Sequence, residues 1–238
     1  MVVKKFVQKK IIRLLNSKKI LKIFFYYHKI FNNKGFKNIG FDFTKKKNRK
    51  YIVQEIINIK KYTKYLEIGC FDNELFDAVN IEHKIGVDPV SGGTIRLTSD
   101  QFFFKNKEFF DCIFIDGLHT YNQVKKDIQN SLKFLNKNGI ILLHDCLPNN
   151  FYEQATPRCQ WTWNGDVWKA IVECRAEKNL DVYTCYADFG IGVIFKRPNK
   201  NLFDHQIMNF SKLKFEDYYK DPYSLMNIIE YEELKKIL

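Results

Sequence analysis

The sequence predicts an α/β domain on a doubly wound, mostly parallel sheet, preceded by a basic helical extension. Three observations carry this. From residue 50 onward, short apolar runs alternate with segments of helical period, the rhythm of a parallel sheet covered on both faces. Five successive runs end in glycine or polar residues, where such a sheet places its ligand crevice. The length of 238 residues and a hydrophobic fraction of 45% suit one domain with additions rather than two.

In chain order, residues 1–31 alternate Lys/Arg with Ile, Leu, Phe and Tyr. Val3, Phe6, Ile11, Leu14 and Leu15 can line one helical face, with Lys4, Lys9, Lys10 and Arg13 on another. Packing on the domain itself or on a partner subunit of a homo-oligomer is the preferred expectation; peripheral contact with an anionic membrane is the alternative. Residues 32–49, rich in Asn, Gly and Lys, read as a linker, so 1–49 form an extension. Residues 50–200 form the main domain and 201–238 a helical tail. Within the domain, Tyr51–Ile59 predicts a helix, Tyr65–Ile68 a first strand ending at Gly69, and 73–80 a helix. Lys84–Val87 predicts a second strand closed by Asp88-Pro89, and Thr94–Leu97 a short third. Cys112–Ile115 predicts a fourth strand ending at Asp116, and Tyr121–Leu135 a helix with Val124, Ile128, Leu132 and Leu135 on one face. After a turn at Asn138-Gly139, Ile140–Leu143 predicts a fifth strand ending at His144-Asp145. A helix near 166–177 and strands Asp181–Tyr186 and Ile191–Phe195 close the domain.

The formal net charge of +12 invites a nucleic-acid or membrane-surface reading. The basic residues are 33 Lys against only 6 Arg, however, and base-edge and phosphate readers lean on the Arg fork. A lysine-rich solvated surface is therefore preferred, with no nucleic-acid partner. None of the six cysteines forms a C-x-x-C pair, and several sit in apolar runs, so buried free thiols in a reducing compartment, the cytoplasm, are expected. The start shows no signal-peptide pattern, and no apolar stretch is long enough to span a bilayer.

The strand tips carry the chemistry. Gly69 allows a tight turn and close approach of a ligand to the backbone. Asp88, at the second tip, stands where a carboxylate can accept both hydroxyls of a ribose; its structural alternative is a turn residue before Pro89. A nicotinamide dehydrogenase would usually show G-x-G-x-x-G after the first strand. This chain has Gly69-Cys70-Phe71-Asp72-Asn73-Glu74, one glycine and two acids, which leaves poor room and unfavourable charge for a pyrophosphate. A cofactor with a cationic sulfonium and no phosphate avoids both problems.

The segments Tyr65-Leu66-Glu67-Ile68-Gly69, Gly86-Val87-Asp88, Phe110 to Tyr121 (containing IDGLHTY) and Asn138 to Asp145 (ending LLHD) resemble class I S-adenosylmethionine-dependent methyltransferases. More narrowly, they resemble the branch of macrocin- and mycinamicin-type sugar O-methyltransferases and cephalosporin-hydroxylase-like proteins. The resemblance covers about residues 62–196 and implies the Rossmann-like methyltransferase fold. One departure is Asn73, where the family motif has its last glycine.

The resemblance also implies roles. Glu67, Gly69 and Cys70 would border the methionine part of S-adenosyl-L-methionine, Asp88 would bind its ribose, Ser99 and Asp100 would sit near the adenine, and Asp116 would close the site. Asp116 and Asp145 match the positions that hold Mg²⁺ in the metal-dependent sugar enzymes. His144 stands where those enzymes have another acid, and it would suit a softer divalent cation. His119, three residues after Asp116, matches the general base. An acceptor hydroxyl must lose its proton as it attacks the methyl carbon, and a neutral imidazole can take it, while a bound cation lowers the hydroxyl pKa. His28, His83 and His205 receive no function.

Residues 146–170 form an acceptor-side insertion. Trp161, Trp163 and Trp168 suit either stacking on a sugar ring or anchoring a lid, with Asn164 or Asp166 as a helix cap. Asp188-Phe189-Gly190 reads as a turn. The function expected is O-methylation of a sugar, glycan or other hydroxylated small molecule. The alternative is a basic nucleic-acid- or membrane-surface-binding module without methyl transfer.

Overall fold

The structure, a computed structural model, describes residues 17–204 and 206–238. The helical faces expected from Val3 to Leu15, and His205, lie outside the described residues. Helix α1 (Lys18–Phe31) begins at Ser17, whose hydroxyl accepts from the Ile20 N–H. It packs on its own domain. Leu21 and His28 are buried, and the Phe25 ring stacks on Tyr152 at 4.6 Å. His28 donates from Nε2 to the Pro157 carbonyl at 2.9 Å and accepts at Nδ1 from Asn32, a structural role. The expected linker is irregular but docked: Asn149 Oδ1 accepts from the N–H groups of Gly40 and Phe41, and Phe41 is buried.

The domain alternates helix and strand as expected: α2 (Arg49–Lys60), β1 (Lys64–Ile68), α3 (Glu74–Ala78), β2 (His83–Val87), α4 (Ser99–Lys105), β3 (Phe110–Ile115), α5 (Tyr121–Lys133), β4 (Leu135–Leu143), α6 (Phe151–Gln154), α7 (Val167–Arg175), β5 (Asp181–Cys185) and β6 (Ile191–Phe195). The tail holds α8 (Phe215–Lys220), α9 (Pro222–Met226), β7 (Ile228–Ile229) and α10 (Tyr231–Ile237). The sheet order is β2-β1-β3-β4-β6-β5-β7, and of the strand pairs only those of β6 are antiparallel. The chain leaves β1 on one side for β2 and crosses to the other for β3, so the switch point lies between the carboxyl ends of β1 and β3.

Side chains alternate across the sheet. Leu66, Ile113 and Ile141 pack on one face with Val124 and Ile128 of α5 and Ile171 of α7. Tyr65, Cys112 and Ile140 pack on the other with Ile52, Val53 and Ile56 of α2 and Leu234 of α10. All six cysteines are free and buried. No helix among the described residues is long and apolar enough to cross a membrane.

Three elements depart from expectation. Thr94–Leu97 is no strand: a single bridge joins Val87 and Ile95, because the Gly86 carbonyl takes the N–H groups of both Thr94 and Ile95 and the ladder stops there. Leu135 opens β4 instead of closing α5. The Asn138-Gly139 turn survives as an irregularity within β4, whose pairing with β3 jumps from Phe110↔Leu135 to Cys112↔Ile140. The tail is not only helical, since β7 adds to the sheet beside β5 through Thr184↔Ile228 and Cys185↔Ile229.

Candidate active site

The tips of β1, β3 and β4 and the β5–β6 turn bring together a cluster of acids and imidazoles. His119 lies just before α5, and its Nε2 is 3.1 Å from Asp116 Oδ1. Its Nδ1 is 2.9 Å from the Trp163 carbonyl and 3.3 Å from Asp145 Oδ2. A carbonyl and a carboxylate can only accept, so both ring nitrogens donate and the imidazole is charged. Burial opposes that charge, but the hydrogen bond to Asp116 and the Asp145 charge outweigh it and raise the pKa to about 9. The Trp163 ring lies over the imidazole, 5.4 Å away and tilted by 22°.

His144 and Asp145 are consecutive, and strand alternation would send them to opposite faces. Asp145 has a φ of +60°, in the left-handed region, and this turns the chain so that both reach Asp116. His144 Nδ1 is 3.5 Å from both Asp116 Oδ1 and Asp145 Oδ2. Its Nε2 is 3.5 Å from Asp188 Oδ1, an ionic separation rather than a hydrogen bond. Burial disfavours its charge, yet Asp145 and Asp116 hold its pKa well above the ordinary value. Burial pushes the Asp116 carboxyl up, while His144 and His119 prevail and hold it well below the carboxylate range.

Asp188 was read as part of a turn, and it is one: Asp188, Phe189 and Gly190 all have positive φ. It is also the outer acid of the cluster. The backbone N–H of Arg49, at the start of α2, donates to its Oδ2 at 2.5 Å, and Arg49 Nη1 lies 3.5 Å away. Three carboxylates thus face two imidazolium rings and one guanidinium, a balanced set. In the sequence Asp188 reads as a turn residue and Asn164 as a helix cap or a neighbour of the tryptophans, and nothing there foresees that these two and Arg49 join the cluster. Asn164 is buried in the insertion and donates to Asp145 Oδ1 at 3.2 Å.

The donor set fits a divalent cation. One ligand atom each from Asp116, His144 and Asp145 lie within 4.8 Å of one another, and Asn164 Oδ1 beside them is buried without a hydrogen-bond partner. Two carboxylates with an imidazole suit a softer cation than Mg²⁺.

The expected cofactor residues fare unequally. Gly69 has a φ of +89°, and a Cβ there would stand 2.2 Å from the Asp116 carbonyl oxygen, so only glycine fits this close approach of the β1 and β3 tips. Glu67 is buried, and its carboxyl accepts from the Tyr65 hydroxyl at 2.6 Å. Cys70 borders the loop only with its backbone; its thiol is buried and directed towards the Glu67 carbonyl. Asp88 takes the turn role in this conformation. Its Oδ1 accepts from Val90 and Ser91 and its Oδ2 from Phe71, which leaves acceptor capacity on Oδ2 alone. Ser99 and Asp100 begin α4 and are tied to α5, where Gln123 Nε2 reaches both and Lys126 pairs with Asp100 at 2.6 Å.

The three tryptophans separate. Trp168 is fully buried against Tyr218, Trp163 orients His119, and Trp161 is 62% exposed. Asp166 caps α5 rather than its own helix, accepting from the Tyr121 N–H at 2.6 Å.

Burial lifts the Glu67 pKa to about 7, aided by the Asp116 charge and opposed by the Tyr65 hydroxyl. In the unfolded chain it titrates near its ordinary value of about 4.3. Stability is therefore lost as the pH rises between these two values and is flat above the higher one. Glu67→Gln keeps an acceptor for Tyr65 and removes the penalty. Urea denaturation is expected to show equal stability for variant and parent near pH 4, and at pH 8 a gain of up to about 3 kcal/mol for the variant. A constant difference across that range would disprove the assignment.

Fold and site together define an α/β domain with an acid–imidazole cluster at its topological switch point. Residues 39–146 match the sequence model of a family described as a methyltransferase domain. No curated protein matches the chain. Among solved structures, an O-methyltransferase from Bacillus cereus in complex with SAH is 12% identical over 76% of this chain and 100% of its own, with a TM-score of 0.48. The SAH-bound methyltransferase PaMTH1 from Podospora anserina is 15% identical over 62% of this chain and 76% of its own, with a TM-score of 0.47. The O-methyltransferase TomG from Streptomyces achromogenes, in complex with SAM, is 9% identical over 76% and 90%, with a TM-score of 0.48.

Proposed function

We propose that the chain is an S-adenosylmethionine-dependent O-methyltransferase acting on a hydroxylated small molecule such as a sugar or glycan. The observation that carries this reading is the cluster of His119, Asp116, Asp145 and His144 beside Gly69. The methyltransferase-domain match over residues 39–146 supports it. When bound, the cofactor supplies an electrophilic methyl group. The chain's own residues position the acceptor and move its proton. Trp163 holds Nδ1 of His119, so the nitrogen that exchanges a proton with the acceptor is Nε2, on the Asp116 side. His119 carries a proton as it stands and must lose it before it can act as a base. A divalent cation held by Asp116, Asp145 and His144, with the imidazole having given up its proton to bind, would supply Lewis acidity to the acceptor oxygen. The exposed Trp161 next to Trp163 is the ring available to stack on a sugar face. A binding module without methyl transfer leaves this buried cluster without a purpose.

Calorimetry with S-adenosylmethionine, S-adenosylhomocysteine and NAD, each with and without Mg²⁺ or Mn²⁺, tests the reading. Binding of the first two and not of NAD is expected. Binding of NAD alone would overturn it. His119→Ala is expected to lower turnover on a hydroxylated acceptor by about 10²–10⁴-fold with little change in cofactor affinity. Unchanged turnover would remove the base role.

A further inference from the structure

The net charge of the chain is concentrated in one place. Residues 1–41 contain ten lysines and Arg13 and no Asp or Glu, so they carry +11 of the formal +12; the remaining 197 residues have 28 basic against 27 acidic side chains. The other 23 lysines are spread along the rest of the chain and are offset there by acids, so the unbalanced charge alone is local. Helix α1, within that stretch, has two apolar faces. Leu21, His28 and Phe25 face the domain. The opposite face shows Ile23 at 65% exposure, Ile30 at 69%, Phe31 at 71% and Tyr26 at 50%. At 100° per residue, Lys18, Lys22 and Lys29 form a stripe along the flank of that outer face. Among the described residues, none of these lysines pairs with a carboxylate.

We propose that the outer face of α1 docks on an anionic lipid surface. Charge complementarity selects this occupant. An exposed apolar strip rimmed by lysines matches a bilayer interface, where aliphatic side chains enter the acyl boundary, tyrosines sit at headgroup level and lysines meet lipid phosphates. A second copy of the chain would bring Lys18, Lys19, Lys22 and Lys29 of its own α1 against those of the first and repel it. A nucleic acid would neutralise the lysines but leave Ile23, Ile30 and Phe31 in water. Leu21 and His28 fix α1 to the domain, so docking would hold the whole domain at the surface. This inference is independent of the reaction catalysed.

Co-sedimentation of the full chain with phosphatidylcholine vesicles, with and without phosphatidylglycerol, tests it. Binding is expected only with phosphatidylglycerol and is expected to fall steeply with salt. Each of Lys18→Gln, Lys22→Gln and Lys29→Gln is expected to weaken the partition by about fivefold. Ile23→Ser with Ile30→Ser is expected to abolish binding with an unchanged thermal melt, since both side chains are exposed. Equal binding to neutral vesicles, or none to either, would overturn the proposal. So would a dimer in lipid-free solution that the Ile23→Ser/Ile30→Ser variant dissociates, or binding to duplex DNA that this variant leaves intact. The headgroup and salt dependence of the unmodified chain decides the matter even if a variant fails to fold.

Discussion

Replacing Asp116 with Asn is expected to reduce methyl transfer by about 10²–10⁴-fold and to destabilise the fold by about 3 kcal/mol near pH 7. Asp116 Oδ1 faces both His119 Nε2, at 3.1 Å, and His144 Nδ1, at 3.5 Å. Removing its charge leaves two buried imidazolium rings to share Asp145 and Asp188. Truncating one member of a buried ion pair costs roughly 3–5 kcal/mol, because the remaining charge stays desolvated. The lower end applies here: Asp116 is partly exposed, and an imidazole can release its proton instead of staying charged. The same substitution removes one candidate metal ligand and the partner that aims His119, so turnover falls whichever role dominates. Denaturant titration and single-turnover rates with saturating cofactor measure the two effects. Retention of both stability and turnover would show that the cluster is incidental. The Asp188→Asn variant separates positioning from chemistry. Asp188 touches His144 but not His119, so a fall in stability with most of the turnover kept is expected.

Gly69→Ala is expected to cost about 3–5 kcal/mol, enough to unfold a domain of ordinary stability in part. A methyl group there would meet the Asp116 carbonyl oxygen at 2.2 Å, its carbon at 2.5 Å and Gly117 Cα at 2.7 Å. All three are backbone atoms of the neighbouring strand end, which cannot rotate away. Relief requires the tips of β1 and β3 to part, breaking the hydrogen bond from the Asp116 N–H to the Ile68 carbonyl. The φ of +89° adds the strain of an L-residue in a conformation natural only to glycine. Gly35→Ala is the matched control. Gly35 also has a positive φ, of +81°, but nothing lies within 4 Å of the added methyl, so a loss of only about 1 kcal/mol is expected. Urea titration of the two variants compares them directly. Losses equal within error would mean that the closeness of the strand tips contributes little.

The local pattern of the chain, by itself, determined the alternation of helix and strand, the buried cysteines, and the polar tips at Gly69, Asp88, Asp116 and His144-Asp145. These are legible because side-chain period and turn chemistry are properties of a few adjacent residues. The pairing of Asp116 with His119 was legible for the same reason, with only two residues between them. What the tips do was not. Asp88 reads as a ribose ligand in preference to a turn residue, yet in this conformation it makes turn hydrogen bonds with residues 71, 90 and 91. Ser99 and Asp100 looked available until α5 brought Gln123 and Lys126 against them. Arg49 and Asp188 join the cluster from opposite ends of the domain, and Trp163 reaches His119 through its backbone carbonyl, which no residue type reveals. Strand order brings such groups together. A charge buried beside distant partners takes its protonation state from them, so only the tertiary structure could make His119 and His144 cations and Asp116 their shared counter-ion.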